Sequence, residues 1–140
     1  AAAWIAVTGA LHPAALLLTA AVAFWTAGFD VIYALHDVDF DRAHGLRSAP
    51  ETLGPRGALL ASRTSHVLAI AFLAAAGAVY GAGPAFFVGV SLAGGLLAYE
   101  QSLVSPHDLS RVNIAFFTLN GLVSVSVFAF ALLDQVLRAR

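Results

Sequence analysis

The chain has 140 residues, 60% of them hydrophobic and 11% charged, with a net charge of -1 at pH 7 and neither cysteine nor methionine. A mean hydropathy of +0.85 and so few charges, against the roughly 25% of soluble domains, exclude an ordinary soluble protein and describe a membrane one. The 7 fixed cations are all arginines with no basic face for nucleic acid, and the lack of cysteine removes disulfides and thiolate metal sites.

A spanning helix needs about 20 apolar residues to cross about 30 Å of hydrocarbon. Residues 1–11 read as the tail of such a span, stopped by His12 and Pro13. With no methionine at its head, this tail is expected to follow further residues of the natural chain, and no basic segment precedes it as in a signal peptide. Residues 14–35 form the next span, with Asp30 as their one charge. The uncharged run between Arg63 and Glu100 is too long for one crossing. It divides at Gly81-Ala82-Gly83-Pro84 into spans at about 64–80 and 84–104, because proline only begins a helix comfortably. Residues 112–134 supply the last span. The expected fold is an all-α, multi-span transmembrane helical bundle. Gly77, Gly81, Gly89, Ala93 and Gly94 are small enough to let its helices pack closely. Alternating spans place Arg42, Arg47, Arg56, Arg63 and Arg111 on one side, against Arg138 and Arg140 on the other, so the loop after residue 35 is expected to be cytoplasmic.

That loop gathers acid. Asp30, Asp37, Asp39 and Asp41 fall within "DVIYALHDVDFD", in a chain with only four other acidic residues. If the helix from residue 14 continues, 100° per residue puts Asp30, Asp37, Asp41 and His44 within about 40° of one direction and Asp39 on the opposite side. Like charges at this spacing repel, and Asp30 would lie inside the bilayer boundary. Magnesium resolves both problems, since it is held by one or two carboxylates together with substrate phosphates. A solvated turn with Asp39 and Asp41 paired to Arg42 is the plainer alternative. A calcium loop fails, because counting from Asp37 the sixth position is Arg42, not Gly, and the twelfth is Ser48, not Glu. Ser48 and Glu51 then form a capping box with Pro50 in the first turn, and Gly54 can end the short helix they start. Its N-terminus beside Arg47 offers an anion site, or else Arg47 faces lipid headgroups.

The remaining polar residues suggest packing first. Ser105, Pro106 and Asp108 read as a helix start, Arg111 and Asn113 as the head of the last span, Asn120 as a bond between helices, and His66 as a packed histidine; Glu100 and Gln101 have no evident role.

The pattern D-x-x-Y-A-x-x-D-x-x-x-D-x-x-x-G-x-x-S-x-P, filled by Asp30, Tyr33, Ala34, Asp37, Asp41, Gly45, Ser48 and Pro50, resembles the second aspartate-rich motif of UbiA-type intramembrane prenyltransferases. "SPHDLSRVNIAFFTLNGLVS", 105–124, is similar to the last-helix region of their quinone-biosynthesis members. The resemblance implies that residues 1–140 are the C-terminal part of one transmembrane prenyltransferase domain. It implies Mg2+ as cofactor, held by Asp37 and Asp41 as catalytic and metal ligands with Asp30 as a further metal carboxylate, and Tyr33, Arg42, Arg47 and Ser48 as substrate-binding residues. The implied reaction moves a polyprenyl group from polyprenyl diphosphate to an aromatic acid such as 4-hydroxybenzoate, in ubiquinone or menaquinone biosynthesis, in the lipid of a bacterial inner membrane. The family's other motif, N-D-x-x-D, is not among these residues, so the implied partner is an N-terminal half of the same chain, and residues 1–140 alone are expected to be inactive. A haem- or chlorophyll-type prenyltransferase of the same superfamily, and a non-enzymatic transporter or scaffold whose aspartates pair with arginines, are the alternatives. The D-G-x-x-A-R pattern of CDP-alcohol phosphotransferases is missing, because Arg42 follows Asp41.

Overall fold

A computed structural model describes residues 1–106, 108 and 114–140. Arg111 and Asn113, expected to open the last span, lie outside the described residues. Six α-helices follow one another: α1 (Ala2–Thr8), α2 (Pro13–Ala34), α3 (Val38–Ala43), α4 (Ala49–Tyr80), α5 (Pro84–Ser102) and α6 (Asn120–Arg138), with a 3-10 turn at Leu35–Asp37 and a π-helical turn at Ile114–Leu119. Among the described residues three stretches, Pro13–Ala43, Ala49–Tyr80 and Phe117–Arg138, are long and apolar enough to cross a membrane. The protein is an all-α membrane bundle. α5 falls short of the same measure because Glu100 and Gln101 interrupt its apolar run.

The helix ends follow local chemistry. His12 caps α2, its Nδ1 accepting from Ala14 N at 3.2 Å, and Pro13 fills the first position, where a missing N–H costs nothing. Ser48 caps α4 by accepting from Glu51 N at 3.4 Å. α4 is two helices joined at a kink: Gly54 takes φ 70 and ψ 165, which a side chain would resist, and Pro55 starts the longer segment. The helix that carries the span expected at 64–80 begins at residue 55, with Arg56 and Arg63 on its exposed flank rather than in a loop. Gly81, at φ 74, ends α4, and its N–H and that of Ala82 close onto the last carbonyls.

The start of α5 is capped from another helix. Asp134 of α6 accepts from Gly83 N at 2.9 Å and Phe86 N at 3.3 Å, while Arg138 approaches it at 3.7 Å and lies over the Tyr80 ring. Asp134 is buried, so these bonds replace the water it lost. Trp4 of α1 stacks on His12 and meets Tyr80 edge-on, completing a belt of aromatic and cationic groups at this end.

Small residues bring the helices together. The Phe86 ring fills the space over Gly77, Phe130 that over Gly89, and Phe24 stacks on Phe72 with centroids 5.5 Å apart. Ile32, Leu35, Ala58, Leu59 and Val104 form one apolar cluster, and Ala93, Leu97 and Val123 with Trp25 and Ile70 form the other. Trp25 Nε1 donates to Asn120 Oδ1 at 2.9 Å, so Asn120 does bond across helices. Only 22%, 28% and 17% of the three spans is buried within the chain, which leaves most of their surface for lipid or further protein.

Candidate active site

Leu35 places the acidic segment. Its side chain is buried against Ile32, Ala58 and Leu59, at the point where α2 tightens into the 3-10 turn. A 3-10 turn advances about 120° per residue against 100° in an α-helix, so three residues of it swing the chain beyond about 60° off the register of α2. The shared face expected for Asp30, Asp37 and Asp41 assumed a straight helix; the added rotation leaves Asp30 and Asp37 within about 40° of one another and carries Asp41 to about 80° from Asp30, so the face is spread wider than expected. Among the described residues no three histidine, aspartate or glutamate side chains lie together as a metal cage.

The structure does keep two carboxylates together in register. Asp37 is the N-cap residue of α3 and Asp41 follows one turn later; Asp37 is exposed and Asp41 half-buried. Neither enters an ion pair among the described residues, whereas Asp39 approaches Arg42 at 3.8 Å with both side chains largely in the open. Arg42, expected to bind substrate, thus leans toward the carboxylate that points elsewhere. Beyond α3 the chain reverses at Gly45, φ 66, with Leu46 N bonding Asp41 O at 2.9 Å. His44 folds back on Phe40, its ring stacked at 4.0 Å and its Nδ1 at 2.9 Å from Phe40 O, so it is occupied locally. Arg47 is exposed and Ser48 spends its hydroxyl on the cap of α4.

Upstream, Asp30 lies on α2 about 200° from both Gly28 and Ile32, the residues buried toward α4, and is exposed. Tyr33 is 39% exposed, its ring 6.3 Å from that of His36. Asp30, Tyr33 and Asp37 therefore open away from the packed side of the bundle. Hard oxygen donors on two carboxylates one turn apart, neither in an ion pair among the described residues, fit magnesium, which completes its shell with phosphate and water.

Beneath this segment lies a buried polar knot. Ser62 Oγ donates to Gly28 O at 2.7 Å, Gln101 Nε2 donates to Ser62 Oγ at 2.7 Å and stands 3.1 Å from His66 Nδ1, and the His66 ring packs directly on Gly28. Three helices are joined at one point. Gln101, without a role in the sequence, ties α5 to α4; Ser62 had no signal beyond being a hydroxyl on the buried face of an apolar helix. Ser105 and Asp108, expected to start a helix, exchange backbone bonds at 3.0 and 3.2 Å, and Ser105 Oγ accepts from Asp108 N at 3.0 Å as a cap would; the residues such a helix would continue into lie outside the described residues.

The profile of the UbiA prenyltransferase family matches residues 1–122. The chain belongs to that family. A UbiA homolog from Aeropyrum pernix K1, solved in its apo form, superposes with a TM-score of 0.75 at 40% identity, over 86% of this chain and 42% of that one. Among curated relatives, the 4-hydroxybenzoate octaprenyltransferase of Saccharophagus degradans is 31% identical over 96% of this chain and 44% of its own length. That of Alkalilimnicola ehrlichii is 33% identical over 94% and 44%. The chain thus spans a little under half the length of the UbiA-family relatives it matches, and the acidic segment falls within the matched residues.

Proposed function

We propose that the protein transfers a polyprenyl group from polyprenyl diphosphate to an aromatic acid of the 4-hydroxybenzoate type, with Mg2+, in quinone biosynthesis at a bacterial inner membrane with the acidic segment cytoplasmic. The observation that carries this reading is the pair Asp37 and Asp41, without an ion pair among the described residues and one turn apart at the end of an apolar helix in a chain of this family. The names of the curated relatives support the acceptor.

Asp37 and Asp41 would hold the cation, with Asp30 behind them; when bound, it offsets the charge that develops on the leaving diphosphate. The allylic C–O bond breaks and its electron pair leaves on the diphosphate. An acceptor ring carbon beside the hydroxyl forms the new C–C bond and loses its proton. Tyr33 presents its ring face near the allylic carbon, and Arg47 and Ser48 line the diphosphate side. The low-dielectric surroundings of the exposed α2 face keep water from the allylic cation.

The test uses the full-length protein. Asp37→Asn and Asp41→Asn remove charge and keep shape, so each is expected to lower prenyl transfer by about tenfold or more, equivalent to about 1.4 kcal/mol, and to raise the magnesium requirement. Asp39→Asn should do little, and Asp30→Asn should fall between. Transfer retained in Asp37→Asn and Asp41→Asn at matched membrane expression would sink the reading.

A further inference from the structure

A groove of about 430 Å³ runs between α4 and α5, with Arg63 and Gln101 at one end and Val67, Ile70, Gly94 and Leu97 along it. Only α4 and α5 line it, whereas the carboxylates of the acidic segment sit on α2 and α3, so it is not part of the candidate active site. Arg63 is exposed and has no ion pair among the described residues. It lies on the flank of α4 next to the buried His66–Gln101 knot. Glu100, the nearest acidic neighbour in sequence to Gln101, is turned into the bundle and does not line the groove.

Depth and shape decide the occupant. Arg63 is 17 residues before Tyr80, which at 1.5 Å per residue is about 26 Å along the helix. The Trp4, Tyr80 and Arg138 belt marks one membrane boundary, so Arg63 stands near the other boundary, about 30 Å away, at the level of lipid phosphates. Gly94 leaves the wall low: a methyl added there would meet only Ile70, at 3.8 Å or more. A cation at phosphate depth above an apolar channel matches a phosphate amphiphile, and the lack of any carboxylate among the described residues of the lining to hold a diphosphate's metal ion favours a phospholipid over the prenyl donor.

We infer that the α4–α5 groove binds an anionic phospholipid, its phosphate on Arg63 and an acyl chain along Val67, Ile70, Gly94 and Leu97. Guanidinium grips phosphate through two parallel hydrogen bonds, and a headgroup with net negative charge adds long-range attraction that a zwitterion lacks. The site is independent of the prenyl-transfer reading.

Native mass spectrometry of the full-length protein, titrated in neutral detergent with phosphatidylglycerol or phosphatidylcholine, tests it. The wild type should retain phosphatidylglycerol preferentially. Arg63→Gln should weaken that retention by about tenfold, the loss of one charge-assisted contact. Gly94→Leu should block it by filling the channel while leaving the arginine in place. Arg56→Gln, exposed on the same helix but outside the groove, should leave it unchanged. Equal retention of both lipids, no retention because protein covers the groove, unaltered retention in Arg63→Gln, an equal loss in Arg56→Gln, or displacement of the lipid by inorganic phosphate alone would each overturn the inference.

Discussion

At residue 28 a hydrogen stands where any other amino acid would carry carbon, and the His66 ring occupies the space that carbon would need. The same residue's carbonyl accepts from Ser62, so one position seats a histidine and anchors a hydroxyl. Gly28→Ala is expected to push His66 off α2 and open the Ser62–Gln101 knot, at a cost of about 1–3 kcal/mol, the usual range for overpacking. Gly121→Ala in α6 meets open space and should be neutral or gain about 0.5–1 kcal/mol from helix propensity. Thermal unfolding of the full-length protein in detergent separates the two; equal midpoints would show that His66 does not need its seat. His66 read as a packed histidine from sequence because no second ligand stands at metal spacing, but its seat could not be read, since Gly28 carries no side chain to suggest a neighbour.

Among the elements, α5 owes its start to a carboxylate on α6. Asp134→Ala would leave the half-buried Gly83 and Phe86 N–H groups without that acceptor, and is expected to destabilise by about 1–3 kcal/mol. Asp134→Asn retains an acceptor oxygen and should lose less, so the order of the two unfolding temperatures reports the cap; the reverse order would refute it. No sequence signal marks this cap, because its partners lie 48 and 51 residues away. The cap at Ser48 and the break at Gly54 were legible because every residue involved is a near neighbour. The start at Pro55 was obscured by Arg56 and Arg63, charges that suggest a loop until their flank of the helix is seen to face outward. The 3-10 turn at Leu35–Asp37 was equally hidden, since it is Leu35, pulled into a cluster with Ala58 and Val104, that redirects the chain.

Across the whole molecule, the apolar runs and the Gly81 to Pro84 break carry enough information to specify an all-α membrane bundle, and the spacing of Asp37 and Asp41 points to the candidate site before any coordinate does. Sidedness rests on the arginine distribution. A cysteine replacing Asp39 is expected to react with an impermeant thiol reagent from the cytoplasmic side, and one replacing Ala82 from the opposite side, in intact cells and inverted vesicles. Labelling of both from one side would contradict the orientation.

The belt that joins Asp134, Gly83, Arg138, Tyr80 and Trp4 has a mechanical meaning. It clasps the bundle at the end remote from the acidic segment, as the stem of a tuning fork joins its prongs. At the other end, α2 hands on to a short turn and α4 is hinged at Gly54. Loosening the stem should therefore show itself as heat sensitivity of the whole fork, while the Ser62–Gln101 knot and the Ile32, Leu35 and Val104 cluster still tie the prongs just below their tips, so that in the proposed reaction only the acidic segment beyond them is left to admit a polyprenyl diphosphate.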